Sequence, residues 1–311
     1  MKFARLLLLV CIIKLSSHNT FSQNTVRHFV FFSKEREAIH DSVFYNHPGI
    51  HGAQITYSWR SLEPSKDLYD FSIIENDLVF LQSKGKKLFI QLQDLTFDSR
   101  YYGVPDYIIA DSGIVRSTYS GWIPKRWDSA VSCRFHSLLN ALGEQFDGRI
   151  EGINLQETSI DIHEGFAGFS RQKYLQALKR NMRVMRMAFQ KSLPVMYANF
   201  MPGDSKTDLA ELYAYAREIK CGMGGPDIKV HRPAQMKNSY PLLHDISRFV
   251  PVAMAVQEGN YSVENPKTGK PATIAEILDF GINYLGASYI FWCREEPFYT
   301  REVLGLLMKY D

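Results

Sequence analysis

The sequence predicts an α/β fold, a single (β/α)8 (TIM) barrel, on three observations. From residue 27 onward, short apolar runs of strand length alternate with amphipathic stretches of helix length, the pattern of a parallel sheet with crossover helices. Eight such runs fit within about 285 residues, close to the size of a closed barrel. An open doubly wound sheet usually carries a glycine-rich turn after its first strand, and Ser33-Lys34-Glu35 supplies none.

The elements follow in order. Lys2 and Arg5 precede an apolar run over 6–13, then a polar stretch and Thr20-Phe21-Ser22, which is the pattern of a secretory signal peptide over 1–22. The run is too short to span a bilayer. A lipid anchor on Cys11 is disfavoured, because Cys11 sits inside the apolar run and follows Val10, where a small residue is normal. The expected location is therefore exported, periplasmic or secreted, with residues 23–311 as the barrel. Cleavage removes Lys2, Arg5 and Lys14 and no acid, so the formal charge falls from +3 to 0. A neutral mature chain has no global field for nucleic acid or anionic membrane, and no second apolar segment reaches membrane-spanning length. Cys133, Cys221 and Cys293 remain; their odd count and wide spacing point to buried free thiols rather than a disulfide framework or a zinc site.

Strands are predicted over 28–32, 52–57, 87–92, 150–155, 193–198, 222–228, 251–256 and 288–292, and helices over 74–83, 130–146, 172–190, 209–220 and 273–284. In the third helix Leu175, Leu178, Met182, Met185 and Phe189 recur at three- and four-residue steps, a core-facing stripe. The segment 93–128 is longer than an ordinary connection and holds Tyr101, Tyr102, Tyr107, Tyr119, Trp122 and Trp127 among turn residues. Two readings stand: a wall on which sugar rings stack, or a small core that holds the loop to the body.

Glu157 and Glu258 carry the functional reading. Each follows a short apolar strand, at the end where barrel chemistry is done. They are 101 residues apart, which is three β/α units. Strands 4 and 7 converge across a barrel mouth, and two facing carboxylates there suit glycosidic bond cleavage. A retaining pair stands about 5–5.5 Å apart, and an inverting pair at wider separation stays open. Gln93 and Asp94 at the end of strand 3, and Asn199 after strand 5, have the position and polarity to hold sugar hydroxyls.

The stretch 56–71, TYSWRSLEPSKDLYDF, is similar to the W-x-x-x-E-P-x-x-G-x-Y-D-F signature after strand 2 in β-galactosidase-like proteins. Trp59, Glu63, Pro64, Tyr69, Asp70 and Phe71 match, and Asp67 stands where glycine is usual. With Glu157 and Glu258 on strands 4 and 7, the chain resembles the clan of retaining (β/α)8 glycoside hydrolases over most of its mature length. The resemblance implies that Glu157 is the acid/base and Glu258 the nucleophile. It also implies that Trp292, ending strand 8, floors the subsite of the cleaved sugar. Gln156 stands where the clan has an asparagine whose amide contacts the sugar 2-hydroxyl. Trp59 is read both as a sugar-stacking ring and as packing beneath the strand 2 loop.

The expected activity is hydrolysis of a β-linked oligo- or polysaccharide, with carbohydrate as partner and neither metal nor organic cofactor. The alternative is a saccharide-binding barrel that does not cleave. Asp161, His163 and Glu164 lack a second histidine at zinc-motif spacing and are read as a loop or substrate rim. No G-x-S-x-G elbow, P-loop or C-x-x-C pair occurs, which disfavours serine hydrolases, NTPases and thioredoxin-like enzymes.

Overall fold

Eight parallel strands close on themselves: β1 (Arg27–Phe32), β2 (Gly52–Ser58), β3 (Lys87–Gln93), β4 (Gly152–Leu155), β5 (Leu193–Tyr197), β6 (Gly222–Gly225), β7 (Val252–Val256) and β8 (Tyr289–Cys293). Each pairs with its neighbours in sequence, and β8 returns to β1 with Tyr289 opposite Arg27 and Cys293 opposite Phe31. This computed structural model describes residues 26–33, 35–118 and 121–309, so the leader predicted over 1–22 lies outside them, as does Tyr119.

The chain returns between strands through α1 (Ser72–Ser83), α2 (Ser129–Phe146), α3 (Arg171–Ala188), α4 (Lys206–Ile219), α5 (Ser239–Ile246) and α6 (Ile274–Asp279). Side chains fix several starts. Asp128, Ser170 and Ser205 accept first-turn N–H groups of α2, α3 and α4, and Thr273 with Glu276 forms a capping box on α6. The helix predicted over 273–284 divides, because a π-helical turn (Phe280–Tyr284) follows α6. The predicted stripe of α3 is fully buried, from Leu175 to Phe189. Of the three thiols, Cys221 is buried and Cys293 half-buried, whereas Cys133 on α2 is exposed, against expectation.

Alternation along the strands separates two cores. Facing out, beneath the helices, are residues such as Val30, Ile55, Ile90, Ile153, Met254 and Trp292. Facing in, Phe29, Phe89 and Phe291 meet edge to face with ring centroids 4.8 to 6.1 Å apart, and Val195, Ala253 and Ala255 complete the plug. Burying each ring contributes roughly 1.5–3 kcal/mol. The inward positions that follow are polar. Gln54 Nε2 donates to Asn154 Oδ1 (2.9 Å) and Tyr197 Oη (3.0 Å), and Thr56 Oγ1 donates to Gln91 Oε1 (2.8 Å). The barrel therefore has an apolar floor and a hydrogen-bonded polar layer toward its carboxyl-terminal mouth.

Strand β6 is shorter than the predicted 222–228. A Cβ on Gly224 would stand 1.8 Å from the Ala253 carbonyl oxygen, so only glycine lets β6 lie against β7 there. Pro226, which has no N–H for the ladder, ends the strand after Gly225. Asp227 consequently lies in the loop beyond the strand rather than inside it.

Candidate active site at the carboxyl-terminal mouth

Four consecutive strands each place a polar side chain two residues past their last ladder position: Glu157 after β4, Asn199 after β5, Asp227 after β6 and Glu258 after β7. All four lie at one mouth because the strands are parallel, and β4 and β7 stand three strands apart around the barrel.

Glu157 is half-buried. Its Oε2 accepts a hydrogen bond from Asn199 Nδ2. Burial raises its pKa above the ordinary carboxylate value; the Asn199 bond opposes this, Asp227 raises it further, and Lys229 and Arg126 pull the other way. Behind it lies a buried ion pair. Arg126 donates through Nε to Asp94 Oδ2 (2.7 Å) and through Nη2 to Asp94 Oδ1 (2.5 Å), and its Nη1 reaches the Glu157 carbonyl (3.3 Å) and Tyr174 Oη (3.0 Å). Tyr174 Oη donates to the Thr158 carbonyl at 3.0 Å. Asp94 is 3% exposed, so the predicted hydroxyl-binding role gives way to a different one: it neutralises the arginine that holds the backbone of Glu157.

Asn199 is also turned inward on the protein. Its Oδ1 accepts the Phe200 N–H (2.8 Å) while Nδ2 holds Glu157, which makes it a positioning residue. Gln156 Oε1 accepts the N–H groups of Asp94 (3.2 Å) and Leu95 (3.1 Å) in the loop after β3. Its extra methylene relative to asparagine carries the amide across to that loop, and Nε2 is the end left without a bond among the described residues. Gln93 is half-buried and inward-facing by its alternation with Phe89 and Gln91, and its side-chain amide also has no hydrogen bond among the described residues.

Glu258 lies in an exposed turn, followed by Gly259 at φ 82°. The turn is held from both sides. The Gly259 N–H donates to Glu295 Oε2 (2.7 Å), and buried Asn260 donates through Nδ2 to Asp227 Oδ1 (2.8 Å) and accepts the Ile228 N–H (3.1 Å). Asp227 Oδ2 also pairs with Lys229 Nζ at 2.9 Å. Cys293 ends β8 at an inward position, and burial with the charges of Glu295 and Glu258 pushes its thiol up to about 11. The motif reading passed over Asp227 because it fell within the predicted strand 6. An acid just past a strand end was the available signal.

Both predicted tryptophans lie elsewhere. Trp292 is fully buried and faces the helices, because Phe291 and Cys293 take the inward positions of β8; its Nε1 donates to His28 Nδ1 at 3.3 Å. It cannot floor a sugar subsite. Trp59 is fully buried too, donating to Glu63 Oε2 (2.7 Å) and packing on Phe135 of α2 at 5.2 Å, so the packing reading holds and the stacking reading fails.

The segment after β3 forms a hairpin of Ile114–Ser117 with Gly121–Pro124, and its aromatics are mostly engaged internally. Trp122 stacks on Tyr102 (4.9 Å) and donates to the Ser99 carbonyl; Trp127 packs on Phe169 and donates to the Ala167 carbonyl. Phe97 and Tyr101 remain exposed. Asp161 accepts from Ser117 and Thr118, tying this hairpin to the loop after β4.

No protein-family model matches the sequence, and no curated protein matches it. The fold has clear counterparts among solved structures. The catalytic domain of β-amylase from Paenibacillus polymyxa superposes with a TM-score of 0.61 at 7% identity, covering 86% of this chain and 92% of that one. A protein described as a glycoside hydrolase gives 0.57 at 12% identity, covering 92% and 99%. Xylanase 10B from Thermotoga petrophila RKU-1, in complex with xylobiose, gives 0.52 at 11% identity, covering 86% and 82%. The shared architecture is the (β/α)8 barrel.

Proposed function

We propose that this chain is a glycoside hydrolase acting on a β-linked glycan by the retaining double displacement, with Glu157 as acid/base and Glu258 as nucleophile. The observation that carries the reading is the asymmetry of the two carboxylates. Glu157 is half-buried and held toward its protonated form, as a proton donor must be, while Glu258 stands in the open mouth. Gln93 and the Nε2 of Gln156 are the amides available to sugar hydroxyls. The solved structures of similar fold are described as acting on glycans, which agrees with this reading. The leader pattern over residues 1–22 supports work outside the cytoplasm, on carbohydrate met there.

In the first step Glu157 gives its proton to the glycosidic oxygen as the Glu258 carboxylate attacks the anomeric carbon. In the second, Glu157 takes a proton from the water that displaces the sugar from Glu258. The test is a panel of aryl β-glycosides and insoluble β-glycans assayed with Glu258→Ala and Glu157→Ala. Azide should restore Glu258→Ala with inverted product and Glu157→Ala with retained product. Wild-type activity in both variants on a confirmed substrate would overturn the assignment.

A second reading, a saccharide-binding barrel that does not cleave, is favoured by two observations. The Gln156 carbonyl is tied to the loop after β3, and no tryptophan faces the mouth from β8. Glycan binding without turnover across the panel would select it.

A further inference from the structure

We infer that the opposite, amino-terminal face of the barrel carries a binding site for a small dianionic oxyanion of the phosphate or sulfate class. An open cavity of about 490 Å³ lies there, where β3, β5 and β8 begin. Lys87, Arg149, Arg186, Lys191 and Lys220 line it, and Glu151 is the one acid on its wall.

The acids nearby are already engaged. Glu151 accepts from Tyr289 Oη (2.7 Å) and from Arg27, and Glu75 takes both Nη groups of Arg149. Asp147 accepts the backbone N–H groups of Lys191 and Ser192 and its charge acts on Lys191, while no ion pair ties the side chains of Lys87, Arg186, Lys191 or Lys220 to a carboxylate among the described residues. The ends of α3 and α4 point to this face and offer roughly half a negative charge each. Four cations against Asp147 and about one unit from the two helix ends leave a positive excess of about two, which a single carboxylate would not match and a dianion would.

Lys220 adds an independent observation. It caps α4 at φ 56°, ψ 43°, the left-handed conformation that a helix C-terminus normally gives to glycine. A lysine there is unfavourable for the backbone, while its ammonium serves both the negative end of α4 and the cavity wall.

The test is calorimetric titration of the full chain with pyrophosphate, orthophosphate, glucose 6-phosphate and acetate at constant ionic strength. Pyrophosphate should bind one-to-one and at least about tenfold more tightly than acetate, with affinity falling as salt rises. Glucose 6-phosphate binding more tightly than orthophosphate would identify an ester as the occupant, and the reverse order a free anion. Lys191→Gln with Lys220→Gly should weaken pyrophosphate about tenfold, while Lys66→Gln on the other face should not change it. Lys220→Gly alone should raise Tm and lower affinity together. Failure of pyrophosphate to saturate, equal loss in Lys66→Gln, or a lowered Tm in Lys220→Gly would each overturn the inference.

Discussion

Asp227 Oδ1 accepts the Asn260 side-chain N–H at 2.8 Å, and that bond joins the loop after β6 to the turn carrying Glu258. The same carboxylate raises the pKa of Glu157 from across the mouth. One residue therefore acts on both proposed catalytic groups, through geometry on one and charge on the other.

Asp227→Ala should separate these effects. Releasing Asn260 loosens the Glu258 turn, so kcat should fall about ten- to a hundredfold with the fold intact. Removing the negative charge lowers the Glu157 pKa, so the basic limb of the kcat/KM profile, where the proton donor ionises, should move to lower pH. Asp227→Asn should recover most of kcat but keep the displaced limb. An unmoved limb in both variants would show that Asp227 does not face Glu157 electrostatically.

Glu157→Gln should stabilise the fold at neutral pH. The folded-state pKa of Glu157 is raised, so folding binds its proton more tightly than the unfolded chain does. That favourable contribution is complete below the unfolded pKa near 4.5 and is lost as pH rises through the folded value. Glutamine has no charge to desolvate. The variant should gain on the order of 1 kcal/mol over wild type above that window and converge with it in acid, as measured by urea unfolding at several pH values.

The barrel was legible because strand and helix periods are local properties of the chain. The eight strands fall where predicted to within one residue at each end, apart from the start of β4, two residues later, and the end of β6, three residues earlier. Which way Trp292 faces was not legible. In YIFWC both faces of a buried parallel strand are apolar, so alternation carries no signal, and the packing of Phe291 against Phe29 and Phe89 decides it. Asp94 misled for another reason: its partner, Arg126, is set by a tertiary contact with no trace in local sequence, as is the hold of the loop after β3 on the Gln156 carbonyl. Trp292→Ala should accordingly cost about 3–5 kcal/mol of stability and leave KM unchanged on any substrate that is turned over.

The strand 2 signature proves structural, and its one departure has a physical reason. Asp67, where the resemblance has glycine, sits at φ 63°. Its N–H donates to Glu63 Oε1 at 3.0 Å and its carboxylate accepts from Arg134 at 2.6 Å. Asparagine and aspartate tolerate this region better than other side chains. Asp67→Ala should therefore cost roughly 1–2 kcal/mol in thermal unfolding. Asp67→Gly should lie within about 0.5 kcal/mol of wild type, because backbone relief offsets a partly exposed ion pair. Equal losses in the two variants would place the effect in the ion pair instead.

His28 contributes to the loss of stability in acid, as do His51 and His136, whose pKa values burial also lowers. Burial, with the nearby charge of His51, lowers the His28 pKa from 6.5 to about 4. The unfolded chain takes up this proton below about pH 6.5 while the folded chain does not until about pH 4, so acid favours unfolding across that interval and adds nothing more below it. The loss should reach roughly 3 kcal/mol, the free energy of a shift of that size. Its Nδ1 accepts the Trp292 indole N–H, so protonation there would also break a buried contact. His28→Gln, which keeps an acceptor and cannot charge, should flatten the stability profile between about pH 6.5 and about pH 4 relative to wild type. Denaturant midpoints measured across that interval check it, and parallel profiles for the two proteins would remove His28 from the account.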